Sequence, residues 1–265
     1  MRAFARSAQG SLRDELDLPA IAAAPLAPDV ARTLEALARL EGATMAHLRN
    51  VLVTSTHKDA RVTAFLVTWA FEKYWIADAL RAVVAAGTGR APEAASAPGD
   101  AVAASGARGR GPVRRALAGF TQGWAIVGAH MAVGYVDERM LRAAHLRMID
   151  VADSSALAAA VHRILVVKAR HEAFFASEAR RRLVASPRAA RLARRELRRT
   201  PWPLGGSELA PTERAAFARS AFGGEAGEAA LRSLELDVRG LPGLDARAAA
   251  SVSGALRALA ARAAT

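Results

Sequence analysis

The sequence predicts an all-α protein, and two observations carry that expectation. Alanine dominates a composition that is 52% hydrophobic but only 5% aromatic, and β-branched residues are sparse. Alanine is the best helix former, whereas strands draw on β-branched and aromatic side chains. Apolar residues also recur at three- and four-residue intervals over long stretches, which is the period of one helical face. The length of 265 residues suits one domain with appendages or two small domains, and the apolar fraction is ample for a buried core.

Residues 1–27 carry no sustained period and read as a loose arm with one short helix around 11–18. From Pro28 onward, with Asp29 as N-cap, the stripe Leu34, Leu37, Met45, Leu48 and Leu52 predicts a first long helix ending near 54–57. Lys58-Asp59 forms the turn. A second helix over 59–86 carries Phe65, Trp69, Phe71, Trp75, Ile76 and Leu80, and Gly87 and Gly89 end it. Residues 87–112 are a linker by composition, rich in Gly, Ala, Ser and Pro. Pro112 opens a third helix running to about 150, with a kink expected near Gly134. The run Asp153-Ser154-Ser155 caps a fourth helix that reaches about 185.

Residues 28–185 thus hold four long helices joined by a tight turn, a long crossover and a second tight turn. The crossover is long enough to return along the bundle, so the second and third helices are expected to run parallel. Residues 186–265 form a basic extension. Ser186-Pro187 breaks the pattern, an Arg-rich helix covers 188–199, and Thr200-Pro201-Trp202-Pro203 breaks it again. Short helices are predicted at 211–222, 225–239 and 245–263.

The chain has no cysteine, which excludes disulfides, thiolate metal sites, iron–sulfur ligation and a cysteine nucleophile. No apolar run is long enough to span a bilayer, and charges at Arg13, Asp14, Glu15 and Asp17 interrupt any leader-like stretch, so the cytoplasm is the expected location. No phosphate-binding loop, dinucleotide glycine pattern or hydrolase elbow is present. The net charge is +12, yet only Lys58, Lys73 and Lys168 are lysines, leaving 34 arginines (37 − 3). That bias has the look of GC-rich coding, so charge alone says little about partners.

Two acids sit on inward stripes. Glu41 lies seven residues after Leu34 and seven before Leu48; Glu72 lies three after Trp69 and four before Ile76. An unpaired buried charge is very costly, so both need partners. With the first turn centred at 56–57, Glu41 and Glu72 stand at equal heights. Counting about fifteen residues into the third helix from Pro112 reaches the neighbourhood of His130. Counting back from the second turn sets His171 opposite Gly134. Glu41, Glu72, His130 and His171, one from each helix, are therefore expected at mid-bundle, with Glu178 as a reserve on the face of His171.

Carboxylates and imidazoles converging from four helices, with a long crossover in the middle, resemble the dimetal-carboxylate proteins of the ferritin-like superfamily over residues 28–185. The resemblance implies a mid-bundle iron or manganese site supporting redox chemistry, that is, a metal-dependent oxidoreductase. The Glu-x-x-His motifs of those proteins are not intact here. Trp75 stands three residues after Glu72, Lys168 stands three before His171, and the third helix offers His130 unless Glu138 takes that place. Two readings of the acids stay open: metal ligation, or ion pairing with Lys73, Lys168 or an arginine. On the second reading Lys168 is a core counter-ion and the protein is a non-enzymatic scaffold or a small-ligand-binding bundle. The sequence leaves open enzyme against non-enzyme, and a homo-oligomer is compatible with either.

The densest charge lies at 180–199. Arg188, Arg191, Arg194, Arg195 and Arg198 are candidate anion-binding residues, suited to phosphate. Trp202 is the only nearby aromatic, so nucleic acid or an anionic surface is the less favoured partner.

Overall fold

A computed structural model describes residues 6–91 and 123–262. Among the described residues the regular structure is entirely helical. In chain order the helices are α1 (Leu18–Ala23), α2 (Pro28–Gly42), α3 (Thr44–Leu52), α4 (Ala60–Thr88), α5 (Ala125–Ala152), α6 (Ser155–Ala185), α7 (Pro187–Arg199), α8 (Pro211–Phe222), α9 (Gly224–Arg239) and α10 (Ala246–Ala260). No helix among them is long and apolar enough to cross a membrane.

Two of the caps are those the sequence announces, whereas Asp29 is not one: α2 starts at Pro28, with Ala27 at the N-cap and no side-chain hydrogen bond there. The carboxylate of Asp59 accepts from the Val62 amide at 3.0 Å to start α4, and the Ser154 hydroxyl accepts from the Leu157 amide to start α6. Gly89 ends α4 in the left-handed region at φ 65°, where glycine is free of Cβ strain. The C-terminal helices fall close to their predicted limits. Most of the predicted linker at 87–112 and the predicted helix start at Pro112 lie outside the described residues; within them α4 continues to Thr88, and α5 begins only at Ala125, after a turn at 123–124.

Three features differ from expectation. The first long helix is interrupted at Ala43 and continues as α3, with the Thr44 hydroxyl donating to the Glu41 carbonyl at 2.7 Å. From residue 6 onward the arm is packed rather than loose. Leu12 and Ile21 are buried in the core, and Arg13 pairs with Asp78 at 2.7 Å. Helix α5 runs unbroken through Gly134, where the glycine makes room for a ring: a Cβ there would come within 2.3 Å of Phe175 Cε1.

Helices α2 and α4 pack together, as do α5 and α6, and the two pairs meet through α2 with α5 and α4 with α6. Leu37, Val62, Ile76, Val136, Met140 and Ile164 are fully buried between them. Phe65 stacks on Phe174 at 3.7 Å, and Trp69 meets Phe175 edge to face at 5.3 Å. Helix α7 lies along α5, burying Ala189, Ala190, Ala193 and Leu197. Helices α8 and α9 cover α2 and α5: Thr33 hydrogen-bonds Ser220 at 2.9 Å, Arg39 pairs with Glu213 at 2.8 Å, and Arg139 pairs with Asp237 at 2.7 Å. Residues 200–262 therefore cap the bundle.

A buried charge cluster as the candidate functional site

Helices α2, α4, α5 and α6 each project a charged side chain to one level of the core. Glu41 comes from the last turn of α2, Lys73 from the middle of α4, Glu138 from α5 and Lys168 from α6. All four are at most 1% exposed. The Lys168 ammonium donates to Glu41 Oε1 at 2.8 Å and to Glu138 Oε2 at 2.6 Å. The Lys73 ammonium pairs with Glu41 Oε2 and stands 3.6 Å from Glu138 Oε1. Two cations thus bridge two anions, and the quartet is neutral.

The shell around the quartet engages part of what it leaves over, while His145 Nε2 and His171 Nδ1 are buried without a hydrogen-bond partner. Trp69 Nε1 donates to Glu138 Oε1 at 2.7 Å, which orients that carboxylate, and the Lys73 ammonium lies 5.6 Å from the Trp69 ring centroid. His145, fully buried, uses Nδ1 on the Leu141 carbonyl at 2.8 Å and brings Nε2 within 3.8 Å of Glu41. His171 links the quartet to a second acid, with Nε2 at 2.7 Å from Glu72 Oε2 and Nδ1 at 3.8 Å from Glu138. The other oxygen of Glu72 accepts from the Gln9 amide at 2.7 Å and from Arg170 at 2.6 Å, so the N-terminal arm closes this end of the cluster.

Electrostatics follow from the pairing. Burial pushes Glu41 up, but Lys168 and Lys73 outweigh it and bring it down to about 2. Burial likewise opposes ionisation of Glu138, and the same two ammonium groups hold it well below the usual carboxylate range. Lys168 is raised above the ordinary lysine value, because its two carboxylates outweigh burial. Burial lowers His145 to about 4, leaving it neutral at pH 7. Asp137, beside Glu138 on α5 and 3% exposed, has no ammonium in contact: burial raises it to about 7, and its Oδ1 has no hydrogen-bond partner.

Of the residues expected at mid-bundle, Glu41, Glu72 and His171 are buried and belong to this connected network. His130 is elsewhere. It is half-buried, with Nδ1 at 2.9 Å from the Thr56 hydroxyl in the turn between α3 and α4, and burial lowers it to about 3. Glu178 is buried but enclosed by arginines, with Arg61, Arg181 and Arg182 at 3.3, 2.6 and 3.1 Å. The height argument places the level correctly, but the residue α5 supplies there is Glu138. Counting started from Pro112, outside the described residues, whereas the second turn at Asp153 sets Glu138 and Lys168 fifteen residues to either side (153 − 138 and 168 − 153). Lys73 and Lys168, the two lysines the sequence offers as counter-ions to the inward acids, both pair with Glu41. The scarcity of lysine was the available signal: in a chain that otherwise uses arginine, two of three lysines occupy the core.

The donor set does not fit a pair of iron or manganese ions. Such ions need carboxylate oxygens and imidazole nitrogens that face a common point. Here both oxygens of Glu41 and Glu138 Oε2 meet ammonium groups, Glu138 Oε1 meets an indole N–H, and the Nε2 of His171 is engaged by Glu72. Among the described residues no group of three or more His, Asp or Glu side chains is arranged to hold a metal ion.

On α7, Arg191, Arg195 and Arg198 are exposed on one face, as is Arg188. Arg194 is instead drawn to the Gly243 carbonyl and stands 3.7 Å from Asp245. Trp202 is buried and donates to the Leu197 carbonyl at 3.1 Å, so it offers no stacking face.

Compared with protein-family models, curated proteins and solved structures, the chain matches none.

Proposed function

We propose that this chain is a ferritin-like four-helix bundle whose centre is held by lysines in place of metal ions, and that it works as a non-enzymatic binding or scaffold protein. The observation that carries this reading is the Glu41–Lys73–Glu138–Lys168 quartet, in which two buried ammonium groups neutralise the buried acids Glu41 and Glu138. The ferritin-like course of the helices is supported by contacts at one end of the bundle. Thr56, just before α4, meets His130 near the start of α5, and Asp59 pairs with Arg182 near the end of α6. Those contacts suit α4 and α5 running in the same direction across a long crossover.

The test is metal content after anaerobic exposure of the purified protein to Fe(II) or Mn(II) and removal of the excess. The reading predicts far less than one equivalent per chain, unchanged in Glu41→Gln and Glu138→Gln. One or two equivalents, lost in those variants, would overturn it in favour of a metal-dependent oxidoreductase.

A second reading attaches to α7. Its apolar face is seated on α5, so what it offers to solvent is an arginine stripe with no apolar wedge for a lipid layer. That favours the phosphates of a nucleic acid. It predicts binding that weakens steeply with salt and is lost when Arg191, Arg195 and Arg198 become glutamine; salt-independent binding would exclude it.

A further inference from the structure

We propose that the outer face of α4 is the surface by which two copies of this chain join as an antiparallel dimer. Helices α1, α2, α3 and α6 pack on α4, yet one stripe of it stays open. Along that stripe Val67, Phe71 and Tyr74 are 55, 47 and 43% exposed. Between Arg61 and Asp78 the only charged residues, Glu72 and Lys73, are buried on the inner side. The open stripe is therefore uncharged over about 25 Å of helix. A contiguous apolar patch with aromatic side chains marks a contact surface.

The order of the side chains selects the partner. Ala60, Ala64, Val67, Phe71, Tyr74 and Asp78 follow at alternating four- and three-residue steps, the spacing of a coiled-coil seam. Read in reverse, the seam is complementary to itself. Val67 and Phe71 stand two residues to either side of position 69, Ala64 and Tyr74 five, and Ala60 and Asp78 nine. A two-fold axis at that level sets Val67 against the partner's Phe71 and Ala64 against the partner's Tyr74. Each layer then places a small side chain opposite a ring. A parallel pair would stack ring on ring and set Asp78 against its own copy. In the antiparallel register Arg61, whose side chain is 66% exposed, comes level with the partner's Asp78. Asp78 already holds Arg13, but a carboxylate has lone pairs for a second guanidinium. The rings are positioned before contact, since Trp75 lies edge-on to Phe71 and Tyr74 at 6.1 and 5.1 Å. That lowers the ordering cost of association. Val67, Phe71 and Tyr74 offer on the order of 250 Å² per copy, and with flanking atoms the pair buries about 1,000 Å² in all. An interface of that size suits a dimer that dissociates in the micromolar range. The inference goes beyond the proposed function, whose quartet lies on the inner side of α4.

The test is sedimentation equilibrium of the full chain across the micromolar range. Wild type is expected to pass from monomer to dimer. Val67→Glu and Phe71→Lys, both at exposed positions, are expected to stay folded by circular dichroism and to weaken self-association by roughly tenfold or more, because each buries an unpaired charge. An equimolar mixture of the two variants is expected to dimerise again. The antiparallel register brings the two introduced charges face to face and leaves one Val67–Phe71 layer intact. If either variant fails to fold, Ala64→Glu with Tyr74→Lys repeats the exchange in the next layer. A wild type that stays monomeric throughout, including one that sediments instead with phosphatidylcholine vesicles, would overturn the proposal. So would single variants that dimerise as wild type does, or a mixture that remains monomeric.

Discussion

Replacing Lys168 by methionine keeps much of the side chain's length and removes its charge from between Glu41 and Glu138. At 2.8 and 2.6 Å, and with an effective dielectric near 20, each contact is a gross attraction of about 6 kcal/mol. Burial of the ammonium offsets several kcal/mol of that sum, but it does nothing for the acids that remain once the lysine is gone. Two carboxylates then share Lys73 alone. Breaking a buried pair from one side costs about 3–5 kcal/mol, which for a chain of this size lowers Tm by roughly 10 °C. One carboxylate of the variant regains a raised pKa and holds a proton when folded that it releases when unfolded. The deficit therefore grows from pH 5 to pH 8. Urea unfolding followed by circular dichroism measures it. Adding Glu138→Gln to Lys168→Met should recover at least half the loss, because one cation again faces one anion. A Lys168→Met protein within 1 kcal/mol of wild type, or a double variant less stable than the single one, would refute the reasoning.

Three further outcomes follow from the same physics. Asp137 has a folded pKa of about 7 against 3.8 for the free group, so its favourable contribution, complete below about pH 4, is lost as pH rises to 7. Asp137→Asn should gain on wild type by up to about 4 kcal/mol by pH 8, and much less at pH 5, in parallel denaturant titrations. His145 and His130 are lowered to about 4 and about 3, so their contribution is complete above pH 6.5 and is lost as pH falls through 4; acid unfolding should shift to lower pH in His130→Gln. Gly134→Ala drives a methyl group into the Phe175 ring and should cost about 1–3 kcal/mol by thermal melting, recovered in part by Phe175→Leu.

Much of the fold was legible because helices announce themselves locally. The stripe through Leu34 and Leu37, the caps at Asp59 and Ser154, and the prolines at 187 and 211 place the elements within a few residues. The interruption at Ala43 was not legible. The apolar stripe continues through it, and a single glycine is tolerated inside a helix, so only tertiary packing reveals the break. The arm was misread for a related reason. Its anchors are long-range, from the Gln9 amide to Glu72 and from Arg163 to Glu15, and no local period encodes them. Within the site, spacing recovered Glu41, Glu72 and His171, whose inward placement is a property of single helices. Glu138 and Lys73 entered only as alternatives, the one as a stand-in for His130 and the other as one of several counter-ions, because their role depends on the register between helices. Lys73 faces Glu41 across the hairpin and Glu138 faces Lys168 across the second turn, and each match depends on knowing where the turn lies. Glu178 shares the inward side of α6, yet its burial is satisfied by Arg181 and Arg182 one turn away on its own helix.

The central claim is that ammonium groups occupy the space between Glu41 and Glu138. Anomalous diffraction from crystals grown in Mn(II), collected on the low-energy side and the high-energy side of the manganese edge, tests it most directly. The account predicts no anomalous peak at that point, with Lys73 and Lys168 nitrogens bridging both carboxylates. A manganese peak between those carboxylates, with the lysine side chains swung aside, would contradict it.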